Sequence, residues 1–217
     1  MDERRRFRDR TDAGERLAEE LRDRDVDADV VLAIPRGGLP LGRAVADALD
    51  APLDVVVAKK IGAPGNPEYA LGAVASDGSV WRNEVAMRGT RAGEEYFEQA
   101  RAEEAENAHR KAERYRGGRP APDLSGETVV LVDDGVATGS TVRACLARIR
   151  AEDPERVVLA VPVGPPHTIE ELREIADEVV CLEVPGGFMG VGQFYDRFEQ
   201  VSDEEAMAYL DRPSNDG

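Results

Sequence analysis

The sequence predicts an α/β fold, a mostly parallel central sheet with helices on both faces. Three observations carry this. Strand-length apolar runs recur at residues 30–34, 55–58, 129–132, 157–163 and 179–182. They are continuous, not alternating, as expected of strands buried on both sides. Segments with helical periodicity separate most of them, and alternating strands and helices imply parallel pairing through crossovers.

In order along the chain, residues 12–24 read as an amphipathic helix with Leu17 and Leu21 on one face and Asp12 as its cap. The strand VVLAI (30–34) breaks at PRGG (35–38). A helix follows over 39–50, with Leu41, Val45 and Leu49 aligned, and then a second strand, DVVVAKK (54–60). The Gly- and Pro-rich segment from 61 reads as a loop. AVAS and SVW around Asp77-Gly78 read as a hairpin. Residues 92–116 form a highly charged helix whose thin stripe, Tyr96, Ala100, Glu103 and Asn107, suits a protruding or partner-bound element. After the linker at 117–126 come strand–loop–helix (128–151), strand (156–163), helix (169–176), strand (178–184), a Gly-rich segment and a short terminal helix.

With 217 residues, 41% of them hydrophobic, the chain can build one sizeable core. No apolar run approaches the roughly 18 residues a membrane helix needs. The charged start, MDERRRFRDR, lacks the apolar segment of a secretory signal. A cytoplasmic protein with no membrane partner is expected. Cys145 and Cys181 read as buried, reduced thiols, and the two cysteines and two histidines make no zinc-type spacing. Formal net charge is −16, and Lys59, Lys60 and Lys111 are the only lysines. This balance argues against nucleic-acid binding and suits a high-salt cytoplasm, that of a halophile, where screening tempers self-repulsion.

The chemistry concentrates at VVLVDDGVATGST (129–141). An apolar strand ends on Asp133 and Asp134, a position where open α/β sheets bind ligands. The following loop opens a helix whose first N–H groups lack intrahelical partners and form an anion cradle. Thr138, Ser140 and Thr141 add hydroxyl donors. The carboxylates would repel an anion but suit neutral hydroxyls, so a sugar phosphate satisfies both halves. The loop matches neither a Walker A nor a dinucleotide-binding pattern.

This stretch resembles the PRPP-binding motif of type I phosphoribosyltransferases. The resemblance implies that Asp133 and Asp134 hold the ribose hydroxyls and that the loop Gly135, Val136, Ala137, Thr138, Gly139, Ser140 and Thr141 binds PRPP, with 137–141 on the 5′-phosphate. IPRGG (34–38) is similar to the family's pyrophosphate loop. It implies Arg36 as a cationic fork, Gly37 and Gly38 as N–H donors, and a cis peptide at Pro35–Arg36. The cations after the second strand imply a pyrophosphate-facing lysine, for which Lys60 is favoured. Only one of the adjacent pair can reach the site, because side chains alternate faces. IGAPGNPEYALGAV (61–74) stands where the family carries a mobile loop, with Asn66 and Glu68 as candidate contacts.

VPGGFMGVGQFYDRF (184–198) occupies the place of the nucleobase-holding hood, with Phe188, Phe194 or Tyr195 available to stack. Several purine-specific members place an acid where this chain has Ala137, which weakens a guanine or hypoxanthine assignment. The resemblance runs from about Val30 to Phe198 within one domain over 1–217, with the hood at 184–200; it does not explain the helix at 92–116, so 84–117 is read as a helical insertion. It implies Mg²⁺ held mainly by PRPP near Asp133 and Asp134, a nucleobase as acceptor, and a homodimer. A PRPP- or nucleotide-binding regulator without turnover is the rival reading.

Overall fold

The computed structural model describes residues 6–90 and 92–211, so the first five residues of the charged start lie outside them. A five-stranded parallel sheet forms the centre, in the order β2 (Leu53–Val55), β1 (Val30–Ala33), β6 (Thr128–Val132), β7 (Arg156–Val163), β8 (Glu178–Glu183). Successive side chains point to opposite faces, and each face meets its own helices. Val31, Ala33, Val130, Val132, Val158 and Ala160 pack with α1 (Arg10–Asp23), α2 (Gly38–Leu49) and α7 (Asp203–Leu210). Leu32, Leu131, Leu159 and Val161 pack with α5 (Ser140–Arg150) and α6 (Pro166–Arg173). Helices therefore cover both faces, as the continuous apolar runs require.

The expected strand at 54–60 is two strands in two sheets. β2 ends at Val55, and Val56 and Val57 cross to a separate antiparallel sheet of β3 (Ala58–Ala63), β4 (Asn66–Ala75) and β5 (Val80–Arg82). The segment from 61, expected as a loop, is therefore the β3–β4 hairpin. Its glycines are accommodated by irregular register around Gly62. A short helix, α3 (Glu84–Gly89), and the long α4 (Glu94–Arg116) cover this sheet through Met87 and Phe97. The far half of α4 packs on the main core instead, through Ala108, Ala112 and Tyr115. The cap of α1 is Asp9, which accepts from the Asp12 N–H at 3.0 Å; Asp12 is buried and paired with Arg8 and Arg16. Cys145 is buried and Cys181 partly buried, both free thiols. Burial pushes the Cys181 thiol up to about 11. Among the described residues no helix is long and apolar enough to cross a membrane.

Candidate functional site

β6 delivers Asp133 and Asp134 to the carboxyl end of the sheet, beside the end of β1. The Asp134 N–H donates to Asp133 Oδ1 at 2.8 Å. Burial is the main cause that raises the Asp133 carboxyl well above its usual range, reinforced by Asp134 and opposed by Arg10. Burial raises Asp134 too, against the pull of Arg10.

The chain then turns at Gly135, where φ is 145° and a Cβ would stand 2.7 Å from Val191. Val136 is buried, its N–H on the Val163 carbonyl at 2.9 Å, and this anchors the loop. Ala137 and Thr138 are exposed. Gly139 is left-handed at φ 73° and leads into α5, whose N-terminus no side chain caps. The Thr138 and Ser140 hydroxyls lie 3.2 Å apart, and Thr168 Oγ1 donates to the Ala137 carbonyl at 2.8 Å. That bond turns a loop carbonyl into the protein, while the free N–H groups and dipole of α5 face the loop. Such a turn suits a phosphate.

The loop after β1 lies against the acids. Its Pro35–Arg36 peptide is cis, at the position the resemblance implies. A Cβ on Gly37 would stand 2.0 Å from Asp134 Oδ2, and one on Gly38 2.8 Å from the Val132 carbonyl oxygen, so both glycines permit close approach. The Gly38 N–H donates to the Ile34 carbonyl at 3.0 Å, closing the turn that leads into α2. It is therefore occupied, where the sequence reading had it free for phosphate.

Arg36 opens onto a cavity of about 420 Å³ lined also by Lys59, Arg110, Lys111, Arg114 and Asp203. Asp203 is engaged by the Tyr115 hydroxyl at 2.5 Å and by Arg114 at 2.9 Å, and it stands 4.0 Å from Arg36. Lys111 Nζ donates to the Pro35 carbonyl at 3.3 Å, which ties α4 to the Arg36 loop. Its ammonium is shifted down first by burial and then by Lys59 and Arg36, with Asp203 opposing. Five cationic side chains around one cavity, against the single carboxylate of Asp203, form a ready anion site. Of the adjacent pair Lys59 and Lys60, the one in this cavity is Lys59. Lys60, one residue on and facing the other way along β3, lines a separate cavity with Tyr96, Gln99 and Glu103.

Of the three hood aromatics, Phe194 and Tyr195 are buried, which leaves neither ring open to stack on a base. Phe194 stacks on Phe188 with centroids 5.7 Å apart. Tyr195 lies between Phe7 and Phe198, and its hydroxyl donates to the Asp134 carbonyl at 2.7 Å. Phe188 is partly exposed. Asn66 is exposed at the hairpin turn, and the side chain of Glu68 lies outside the described residues.

Four groups at the site had no part in the sequence reading. Arg110, Lys111 and Arg114 come from the helix whose stripe gave no hint of them, although Lys111 is the third of only three lysines. The fourth is Arg10, which donates from Nε to Asp134 Oδ2 at 2.8 Å across 124 positions of sequence.

Comparison with known proteins agrees with this geometry. A family model for the phosphoribosyl transferase domain matches residues 7–196. A Mycobacterium tuberculosis (strain CDC 1551 / Oshkosh) protein named "Putative phosphoribosyl transferase" is 44% identical over 210 residues, covering 97% of this chain and 47% of that protein. Its counterpart in strain H37Rv matches to the same extent. The chain thus spans about half the length of the curated relatives it matches. A crystal structure of a Thermus thermophilus protein is 47% identical, with a TM-score of 0.81, over 94% of this chain and 97% of that one. The acid pair, the phosphate-type loop and a family match over most of the chain converge, and the chain belongs to the phosphoribosyl transferase domain family.

Proposed function

We propose that the protein transfers the 5-phosphoribosyl group of PRPP to a nucleobase and releases pyrophosphate. The observation that carries this is the adjacency, at one end of the sheet, of three parts. An acid pair suits ribose hydroxyls, an uncapped helix with hydroxyls suits a 5′-phosphate, and a cationic cavity at Arg36 suits a diphosphate. In this reading Asp133 and Asp134 orient the ribose, and residues 137–141 hold the 5′-phosphate. Arg36, Lys59 and Lys111 stabilise the charge that develops on the departing diphosphate.

The bond from C1 to the diphosphate oxygen breaks, a bond from C1 to a ring nitrogen forms, and the nitrogen's proton leaves to solvent. Preorganised cations aimed at a developing polyanion act in the transition state more than in the ground state, which is the larger part of such catalysis. Ala137 offers no acid for a proton shuttle to the base. Phe188 is the hood ring with a surface left for stacking.

Magnesium fits the donor set as an ion carried by the substrate. The acids offer hard carboxylate oxygens, but one of those oxygens is occupied by Arg10. Among the described residues no group of three or more His, Cys, Asp or Glu side chains could hold a metal. Magnesium is commonly held by one or two carboxylates plus substrate phosphates. Bound with PRPP, it would neutralise the leaving diphosphate, with Asp133 and Asp134 beside its water shell. We read 1–217 as one domain whose segment 84–117 contributes cations, and a homodimer is the expected assembly.

Pyrophosphate release from PRPP with Mg²⁺, in high salt, across purine and pyrimidine bases tests the reading. Release that depends on one base establishes a transferase. PRPP binding without release favours a regulator, and no PRPP binding refutes the site.

A further inference from the structure

We propose that Arg10 is a positioning residue for ribose recognition: it fixes Asp134 and cancels one of the two adjacent negative charges, so that the acid pair can sit beside a polyanion. The inference rests on the PRPP reading of the site and adds a residue from outside the motif.

The Arg10 side chain is 12% exposed and its carboxylate partner 16%. The guanidinium is held from three sides. Nε donates to Asp134 Oδ2 at 2.8 Å, Nη1 donates to the Glu199 carbonyl at 2.6 Å, and the plane lies 3.9 Å over the Phe198 ring. A planar fork so engaged is a fixed part, not a swinging gate. The backbone around it is fixed as well. Phe7 N–H donates to the Phe194 carbonyl at 2.8 Å, Asp196 N–H to the Phe7 carbonyl at 2.8 Å, and Arg197 N–H to the Arg8 carbonyl at 3.0 Å. Tyr195 grips the Asp134 main chain from the same segment.

The contact is to one oxygen only, so Asp134 Oδ1 can still accept from a hydroxyl. Two uncompensated carboxylates beside a phosphate loop would repel the phosphate that the loop is built to hold. With Arg10 in place the Asp134 carboxylate is balanced by a cation, and the pair keeps oxygens able to accept from hydroxyls. Arg10 thus reconciles two neighbouring subsites of opposite preference.

The test compares two ligands by calorimetry with Mg²⁺ present: PRPP, which uses the acid pair, and pyrophosphate, which has no ribose. For folded Arg10→Met, PRPP affinity is expected to fall at least about tenfold, the scale of a lost charge-assisted hydrogen bond, with pyrophosphate affinity within about twofold of wild type. Arg10→Lys, which keeps the charge, is expected to recover part of the PRPP affinity. If Arg10→Met does not fold, Phe198→Leu, which loosens the guanidinium from a partly exposed position, is expected to show the same selective loss to a smaller degree.

Unchanged PRPP affinity in a folded variant overturns the proposal. So does equal loss of both ligands, the mark of a merely structural role. Wild-type protein that fails to bind PRPP overturns the phosphoribosyltransferase reading and this role with it, so the two failures are distinguishable.

Discussion

Gly37→Ala tests the close fit between the two loops most sharply. An added Cβ would stand 2.0 Å from Asp134 Oδ2 and 2.5 Å from its Cγ, where ordinary contact begins near 3.4 Å. The carboxylate must therefore withdraw by about 1.4 Å. It cannot do so freely, because Arg10 holds Oδ2 at 2.8 Å and Tyr195 holds the main chain at 2.7 Å. Overpacking of this kind costs about 1–3 kcal/mol, or roughly 2–12 °C of melting temperature for a chain this size. Misplacement of an orienting group by about 1 Å costs on the order of 100-fold in rate.

Thermal unfolding and base-dependent pyrophosphate release measure the two effects. Gly93→Ala is the steric control: nothing lies within 4 Å of its added carbon, and its cost is confined to the cap of α4. A Gly37→Ala protein with wild-type turnover and PRPP affinity would refute the assignment of Asp134 to the ribose.

Asp133→Asn is expected to abolish most turnover while stabilising the unliganded protein. The native carboxyl titrates above its unfolded value, so the stability it contributes in acid is lost as pH rises through the native value. The melting temperature of the variant should therefore exceed wild type by a few degrees at pH 8, with the gap closing toward pH 4. Melting curves across that range, without ligand, check the sign. Lys59→Ala and Lys111→Ala should each weaken pyrophosphate binding roughly tenfold by calorimetry, and Lys60→Ala less than about twofold. Tyr195→Phe removes the hydroxyl from the Asp134 carbonyl and should cost about 1 kcal/mol in urea unfolding.

The central sheet was legible because β1, β6 and β7 are buried on both faces and so are written as unbroken apolar runs, while the edge strand β8 keeps a shorter one, with Val179 and Val180 buried. The same rule failed at DVVVAKK. Val56 N–H still bonds the Ala33 carbonyl, while the Val57 carbonyl already accepts from Ser76. One apolar run therefore serves two sheets, and composition does not mark the crossing. In α4 the first half faces the small sheet and the second half the main core, so no single stripe phases both. Phe97 and Ala108, Ala112 and Tyr115 are buried in its place.

The PRPP-type loop could be read because its chemistry is local, confined to residues 133–141. The charge that balances it is not. Arg10 and Lys111 reach the site through tertiary folding alone, and nothing in FRDR or HRKAER announces a partner more than 70 positions away. Lys59 and Lys60 posed a question of strand phase, and in the fold Lys59 lines the cavity at Arg36 while Lys60 lines another.

The pairing of residues 6–8 with 194–197 also has a consequence for synthesis. The five-stranded sheet has all its strands once Glu183 is made, yet the group that grips the acid pair needs Tyr195, Phe198 and Glu199. At about 5–20 residues per second, the leg bearing Phe7 and Arg10 waits roughly 10–40 s on the ribosome for its partners. A nascent or prematurely terminated chain can thus contain every strand of the sheet without the residues that fix Asp134. In the proposed reading, ribose recognition is thus among the last features of the fold that synthesis completes.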